Sequence, residues 1–151
     1  MANGDKKTAA QEVKQYLQKL SAMSDLDPKE FADESGLANK LAGSYGKDEL
    51  KSTQLRKIFH PLKQIERDVQ RKVRGKPENE QGAFETHKVV LMMPTLAYAR
   101  GRGLIPEDFY EIMKLCLREK VKTNKDFLRS VQFIEAVLAY HKFRYPSSAR
   151  G

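Results

Sequence analysis

Apolar residues recur about every three or four positions along most of the chain, which is the spacing of one face of an α-helix. The alternating β-branched runs that indicate strands are scarce. The pattern therefore predicts an all-α fold, a compact bundle of five to six helices. Expected helices cover about 8–22, a stretch from Asp27 on, 52–76, 84–100, a stretch from Pro106 on, and 125–145.

Residues that favour helix ends support these boundaries. Asp27 suits an N-cap because its carboxylate can accept a hydrogen bond from the first turn, and Pro28 fits the first helical position. By the same reasoning Ser52 or Thr53 caps the third helix, Pro106 opens the fifth and Asn124 caps the last.

Two segments are apolar on nearly every side and are expected in the interior. The last helix carries apolar residues around most of its circumference between Phe127 and Phe143, which predicts the central position in the bundle. The segment VVLMMPTLAYA, residues 89–99, is expected to be buried for the same reason.

The helix that begins near Ser52 separates apolar from basic residues. At about 100° per residue, its apolar side chains fall within about 60° of one line, and basic residues fall on one flank. The apolar set is Leu55, Ile58, Phe59, Leu62, Ile65, Val69 and Val73; the basic set, here called the basic flank, is Arg56, His60, Lys63, Arg67, Arg71 and Arg74. Neither acid of the helix projects onto the basic flank, although Glu66 falls on the apolar face. Pro61, in mid-helix, predicts a bend and has no further role that the sequence identifies.

Net charge makes the basic flank more informative. The chain carries +8 overall, and residues 51–76 hold 9 Lys and Arg against 2 Asp and Glu, or +7. Like charges four residues apart destabilise a helix, and a bound polyanion would relieve that repulsion. The pattern predicts a nucleic-acid backbone along the basic flank, with Lys57 beside it as a further contact. Arg100 and Arg102, at the exposed end of the fourth helix, are additional candidates.

Other kinds of site lack the residues they need. Cys116 is the only cysteine and falls on an apolar stripe, and the three histidines lack the spacing of a metal site. No catalytic constellation assembles, so we expect no enzyme, no metal, no cofactor and no small-molecule substrate. The polar N-terminus and the short apolar runs predict a cytoplasmic protein without a membrane partner.

Three segments in this order resemble the small α-helical subunit of type III-A CRISPR–Cas effector complexes: STQLRKIF at 52–59, PTLAYARGRG at 94–103 and FIEAVLAYHKF at 133–143. The resemblance covers about residues 51–143. It divides the chain into an N-terminal helical extension, 1–50, packed on the bundle, and a small-subunit core, 51–151.

The resemblance implies a non-catalytic subunit in antiviral defence. It would bind the sugar-phosphate backbone of target RNA paired with guide RNA, and pack against backbone subunits and copies of itself. By position it assigns RNA contacts to Arg56, Arg102 and Lys142, whereas Met93 and Thr95 stand where relatives often carry lysine around the proline. Two alternatives stay open: a helical adaptor that binds only proteins, and a helix-turn-helix DNA binder, for which no short helix presents base-reading residues.

Overall fold

The computed structural model describes residues 8–77 and 82–146. This part of the chain forms eight α-helices, six of them with seven residues or more, which confirms the all-α prediction of five to six helices. The helices are α1 Ala9–Lys19, α2 Pro28–Phe31, α3 Leu37–Gly43, α4 Ser52–Val73, α5 His87–Val90, α6 Met93–Gly101, α7 Glu107–Lys114 and α8 Asn124–Arg144. The described residues contain no strand, only an isolated bridge between Ala83 and Thr123.

Several helix ends differ from the predicted ones by one residue. Asp27 caps α2 as expected, since its carboxylate accepts a hydrogen bond of 2.9 Å from the Lys29 N–H. Lys51 holds the N-cap position of α4 instead of Ser52 or Thr53, and Pro106 holds that of α7 instead of the first helical position. Thr123, not Asn124, caps α8 through a reciprocal pair of hydrogen bonds with Asp126.

Helix α8 lies at the centre of the bundle, as its apolar circumference predicts. It packs against α2, α3 and α4, and α3 also packs against α1. Asp126 in its first turn is 2% exposed and accepts hydrogen bonds of 2.9 to 3.0 Å from three backbone N–H groups, those of Ser24, Lys122 and Thr123. A single buried carboxylate thus joins the start of α8 to the turn that precedes α2. The domain division at residue 50 stays a prediction.

The predicted helix at 84–100 is in fact two helices, and the predicted burial of its apolar run is wrong. Residues 91 and 92 separate α5 from α6, and Phe84 lies before α5 with its ring stacked on Phe127 at 4.5 Å. Only Val89, Leu96 and Ala99 of the run are buried, because one side alone of this peripheral pair faces the bundle. Its outer side exposes 38% of Val90, 75% of Leu91 and 61% of Tyr98, called here the apolar ridge.

Helix α4 is continuous through Pro61 and has the predicted core face. Its buried residues are Leu55, Ile58, Leu62, Ile65, Val69 and Val73, with Phe59 half-buried. Helix α8 runs antiparallel to it: Asn124 at the start of α8 lies near Ile65 and Val69, whereas Glu135 reaches back to Lys63. The basic flank is therefore held on a helix whose other side is fixed in the core.

In the described residues no helix has both the length and the apolar character needed to cross a membrane.

Candidate functional site

The exposed side of α4 carries cations that have no acidic partner among the described residues. Arg56, His60, Arg67 and Arg74 are exposed, and none lies within ion-pair distance of a carboxylate there. On an ideal helix these four positions fall within about 40° of each other, with successive rises of roughly 6, 10 and 10 Å. We call them the free row. Its three arginines form one line of uncompensated positive charge roughly 27 Å long, with His60 between Arg56 and Arg67.

Lys63 belongs to the basic flank but is neutralised. Its Nζ lies 2.6 Å from the Glu66 carboxylate and 3.9 Å from that of Glu135 on α8. The hydrogen bond to Glu66 raises the pKa of Lys63, so its charge is held in the ion pair. Glu66 itself is 7% exposed, and this pairing explains an acid on the apolar face of the helix.

Arg71 is neutralised in a similar way. Asp68 accepts from Arg71 and also lies 2.9 Å from Nζ of Lys88 on α5. These two cations, Lys88 first, lower the pKa of the Asp68 carboxyl. Lys72, one residue on, pairs with Glu85. Two of the six positions of the basic flank, Lys63 and Arg71, are thus paired with acids, although neither Glu66 nor Asp68 projects onto that flank.

Two open depressions lie along the same helix. The first is lined, among the described residues, by Thr53, Arg56, Lys57, His60 and Pro61. Lys57 is exposed and has no ion-pair partner there, so two cations, Arg56 and Lys57, lie beside the His60 imidazole at this depression.

The second depression is lined by Arg67, Gln70, Arg71 and Arg74, two of which belong to the free row. Both depressions are shallow and open to solvent. Such a shape suits an extended anionic chain better than an enclosed small molecule.

The two candidates at the end of α6 are already engaged. Arg100 Nη2 lies 3.0 Å from Glu107, and its guanidinium covers the ring of Tyr110. Arg102 donates a 3.0 Å hydrogen bond to the Tyr98 hydroxyl, and its guanidinium lies over the ring of Tyr98. Of the two, only Arg102 keeps an uncompensated charge, because its partner is neutral.

Lys142 lies on α8, the helix whose Glu135 contacts Lys63 of the basic flank. It is seven residues beyond Glu135 and hence on nearly the same side of α8. Arg56 is seven residues before Lys63, the partner of Glu135. Lys142 is exposed, with no acidic partner among the described residues.

Sequence reasoning missed the acidic partners of the flank, although part of the signal was present. Glu66 follows Lys63 by three residues, and Arg71 follows Asp68 by three, a spacing that brings side chains together on a helix. Glu135 on α8, which also reaches Lys63, could not be found in this way, because its contact depends on tertiary packing. The exposure of the apolar ridge left no signal in the sequence.

The remaining reactive groups do not assemble into a site. Within the described residues no three His, Cys, Asp or Glu side chains lie close enough together to hold a metal ion. Cys116 is fully buried, and burial raises the pKa of its thiol. A protonated, inaccessible thiol suits core packing.

Comparison with known proteins identifies the family. The family model described as Csm2 Type III-A matches residues 28–147, most of the chain, and the chain therefore belongs to this family. It is thus a small subunit of a multi-subunit type III-A CRISPR complex. The match begins before Lys51, so it includes α2 and α3 as well as the three motifs. Neither the curated proteins nor the solved structures yielded a match.

Proposed function

We propose that this chain is a non-catalytic subunit that binds the sugar-phosphate backbone of target RNA, paired with guide RNA, in the assembled complex. The observation that carries the proposal is the free row, three exposed arginines and His60 on α4 without acidic partners among the described residues. Function in antiviral defence, in the cytoplasm, follows from the family and belongs to the same proposal.

The chemistry of the free row suits backbone binding. Arginine and lysine side chains that meet phosphates release counterions, which gives affinity without regard to sequence. Reading bases would need side chains placed against base edges, and a single helix flank with two shallow depressions offers no such arrangement. Guide–target pairing would therefore supply the sequence specificity, and this chain would contribute sequence-independent affinity.

The ion pairs narrow the set of proposed contacts. Lys57 and Lys142, together with the free row, can meet a phosphate without breaking an existing interaction. Lys63, Arg71 and Arg100 would first have to leave Glu66, Asp68 and Glu107, and Arg102 would have to leave the Tyr98 hydroxyl. We therefore assign these four residues a secondary role in RNA binding.

The apolar ridge favours a second candidate function, that of an adaptor that binds proteins only. Exposed aliphatic groups such as Leu91 gain little from a phosphate chain, whereas a protein surface would remove them from water. We propose that the apolar ridge packs against a neighbouring subunit. The adaptor hypothesis holds that this is all the chain does, and the RNA-binding hypothesis adds the free row.

Crosslinking inside the assembled complex separates the two hypotheses. Target RNA that carries photoreactive uridine is irradiated on the complex, and crosslinked peptides are identified by mass spectrometry. RNA binding predicts adducts on α4 peptides from 52 to 77, and few on the 87–101 peptide that carries the apolar ridge. Protein–protein crosslinks without RNA adducts on this chain would favour the adaptor.

A further inference from the structure

Pro61 gives the first depression a chemical property that an ordinary helix surface lacks. In a helix, the carbonyl of Lys57 accepts a hydrogen bond from the N–H four residues later, and proline has no N–H to donate. Helix carbonyls point along the axis toward the following turn. Lys57 and Pro61 both line the depression, so the carbonyl that has lost its helix partner belongs to a residue of the lining.

The surroundings of this carbonyl match the parts of one nucleotide. Arg56 and Lys57 offer exposed cations for phosphate, His60 offers an exposed imidazole, and the Pro61 ring offers an apolar surface. An anion cannot donate to a carbonyl, so the bound group must also bring a hydroxyl or an amino group. A ribonucleotide carries a phosphate and a 2′-hydroxyl on adjoining parts of one unit, whereas a deoxyribonucleotide lacks the hydroxyl.

Resting on the proposed function, we infer that the depression at Pro61 binds one ribonucleotide of the target strand and selects RNA over DNA. The ribose 2′-hydroxyl donates to the Lys57 carbonyl, while Arg56, Lys57 and His60 hold the neighbouring phosphates. Pro61 acts as a positioning residue, because its missing N–H leaves the acceptor available. An internal proline lowers helix stability, and the proposed contact gives a functional reason for its presence in α4.

The decisive variant is Pro61→Ala, which restores an N–H to the Lys57 carbonyl. Alanine is the best helix former, so this variant should fold at least as stably as the wild-type chain. Pro94→Ala is the matched control. Pro94 lies in the first turn of α6, where an N–H has no intrahelical partner, so this change alters no helix hydrogen bond.

Binding is measured by fluorescence anisotropy with a short single-stranded RNA, the DNA of the same sequence, and the RNA with 2′-fluoro sugars. The 2′-fluoro RNA keeps an RNA-like sugar but cannot donate. The wild-type chain and Pro94→Ala should bind RNA about fivefold more tightly than either of the other two, the value of one hydrogen bond. Pro61→Ala should bind all three alike, with an unchanged dependence on salt.

Three results would overturn this inference. Equal wild-type affinity for RNA and DNA would remove the selectivity but leave backbone binding intact. A preference that survives in Pro61→Ala, or a loss that is equal for RNA and DNA, would show that the 2′-hydroxyl does not meet this carbonyl. A chain that binds none of the three probes, either alone or within the assembled complex, would refute the proposed function together with this inference.

Discussion

Helix α4 presents charged residues in two different settings. In the first, Glu66 and Asp68 hold Lys63, Arg71 and Lys88 in ion pairs, one of which connects α4 with α5. Along its outer side the free row has no such partners in the described structure. The same residue types, one turn apart, thus serve to join helices in one place and remain available to a ligand in the other.

The difference shows why counting basic residues on a helical wheel overstates a binding site. A projection gives the direction of each side chain but not the neighbour it meets. Lys63 and Arg67 project onto the same flank, yet only Lys63 is reached by a carboxylate of α8. An anion gains the full attraction of Arg67, whereas at Lys63 it competes with Glu66 at 2.6 Å.

The largest effect is expected at the buried carboxylate of Asp126, whose hydrogen bonds should matter for folding and not for RNA binding. Asp126→Ala removes the acceptor of three backbone N–H groups in the interior. We expect the free energy of unfolding to fall by about 3 kcal/mol, measured by urea denaturation. The salt dependence of RNA binding by the folded fraction should not change. A change would mean that this buried carboxylate also affects RNA binding.

The pH dependence of stability gives a second test of Asp126. Burial alone would raise the pKa of its carboxyl, but hydrogen bonds from Ser24, Lys122 and Thr123 hold it below the ordinary value. The carboxylate therefore stabilises the fold above about pH 4, and this contribution is lost as the pH falls further. Acid denaturation of Asp126→Asn should be less steep in that range. Identical acid denaturation curves for the wild-type chain and Asp126→Asn would show that the carboxylate does not contribute to stability.

A matched pair of arginines sharpens the comparison next. Arg67 and Arg71 lie one turn apart in the same depression, and only Arg71 is paired with Asp68. Arg67→Ala should weaken RNA binding about fivefold, roughly 1 kcal/mol, and Arg71→Ala less than about twofold. Anisotropy titrations at one salt concentration suffice. Equal losses for the two variants would mean that the ion pair does not limit access to RNA.

A smaller gain should follow when a partner is removed. Asp68→Asn releases Arg71 and Lys88 from their shared carboxylate while keeping the side-chain shape. RNA affinity should rise about threefold, and the salt dependence should become steeper by about 0.7 for each new phosphate contact. Glu85→Gln, which releases Lys72, provides a control farther round the helix. Unchanged or weaker RNA binding by Asp68→Asn would show that the ion pairs with Asp68 do not keep Arg71 and Lys88 from RNA.

The smallest expected effect concerns the other end of α8. His141 is 1% exposed; burial lowers its pKa, the Gly46 backbone raises it in part, and Arg144 lowers it further. The unfolded chain therefore takes up this proton more readily, so stability should decline as the pH falls below about 6.5. His141→Gln should reduce that slope in thermal melts between pH 7 and pH 5. RNA binding at pH 7 should be unaffected.

Helical periodicity was sufficient to predict the fold class and the core face of α4. Leu55, Leu62 and Val69 recur at the seven-residue spacing that keeps side chains on one side of a helix, and all three are buried. The prediction of burial failed at the apolar ridge. An apolar run indicates that burial would be favourable, but it does not show that a neighbouring element is present to cover it. Leu91 has no helix to cover it within the described chain, which a partner subunit would explain.

Our central claim is that the free row binds RNA through phosphates, and the salt dependence of binding tests it most directly. The triple variant Arg56→Ala, Arg67→Ala, Arg74→Ala is compared with Lys63→Ala, Arg71→Ala, Arg100→Ala, with folding verified by circular dichroism. We predict that the slope of log affinity against log salt becomes shallower by about 2 in the first variant and by much less in the second. A folded first variant whose slope equals that of the wild-type chain would contradict the claim.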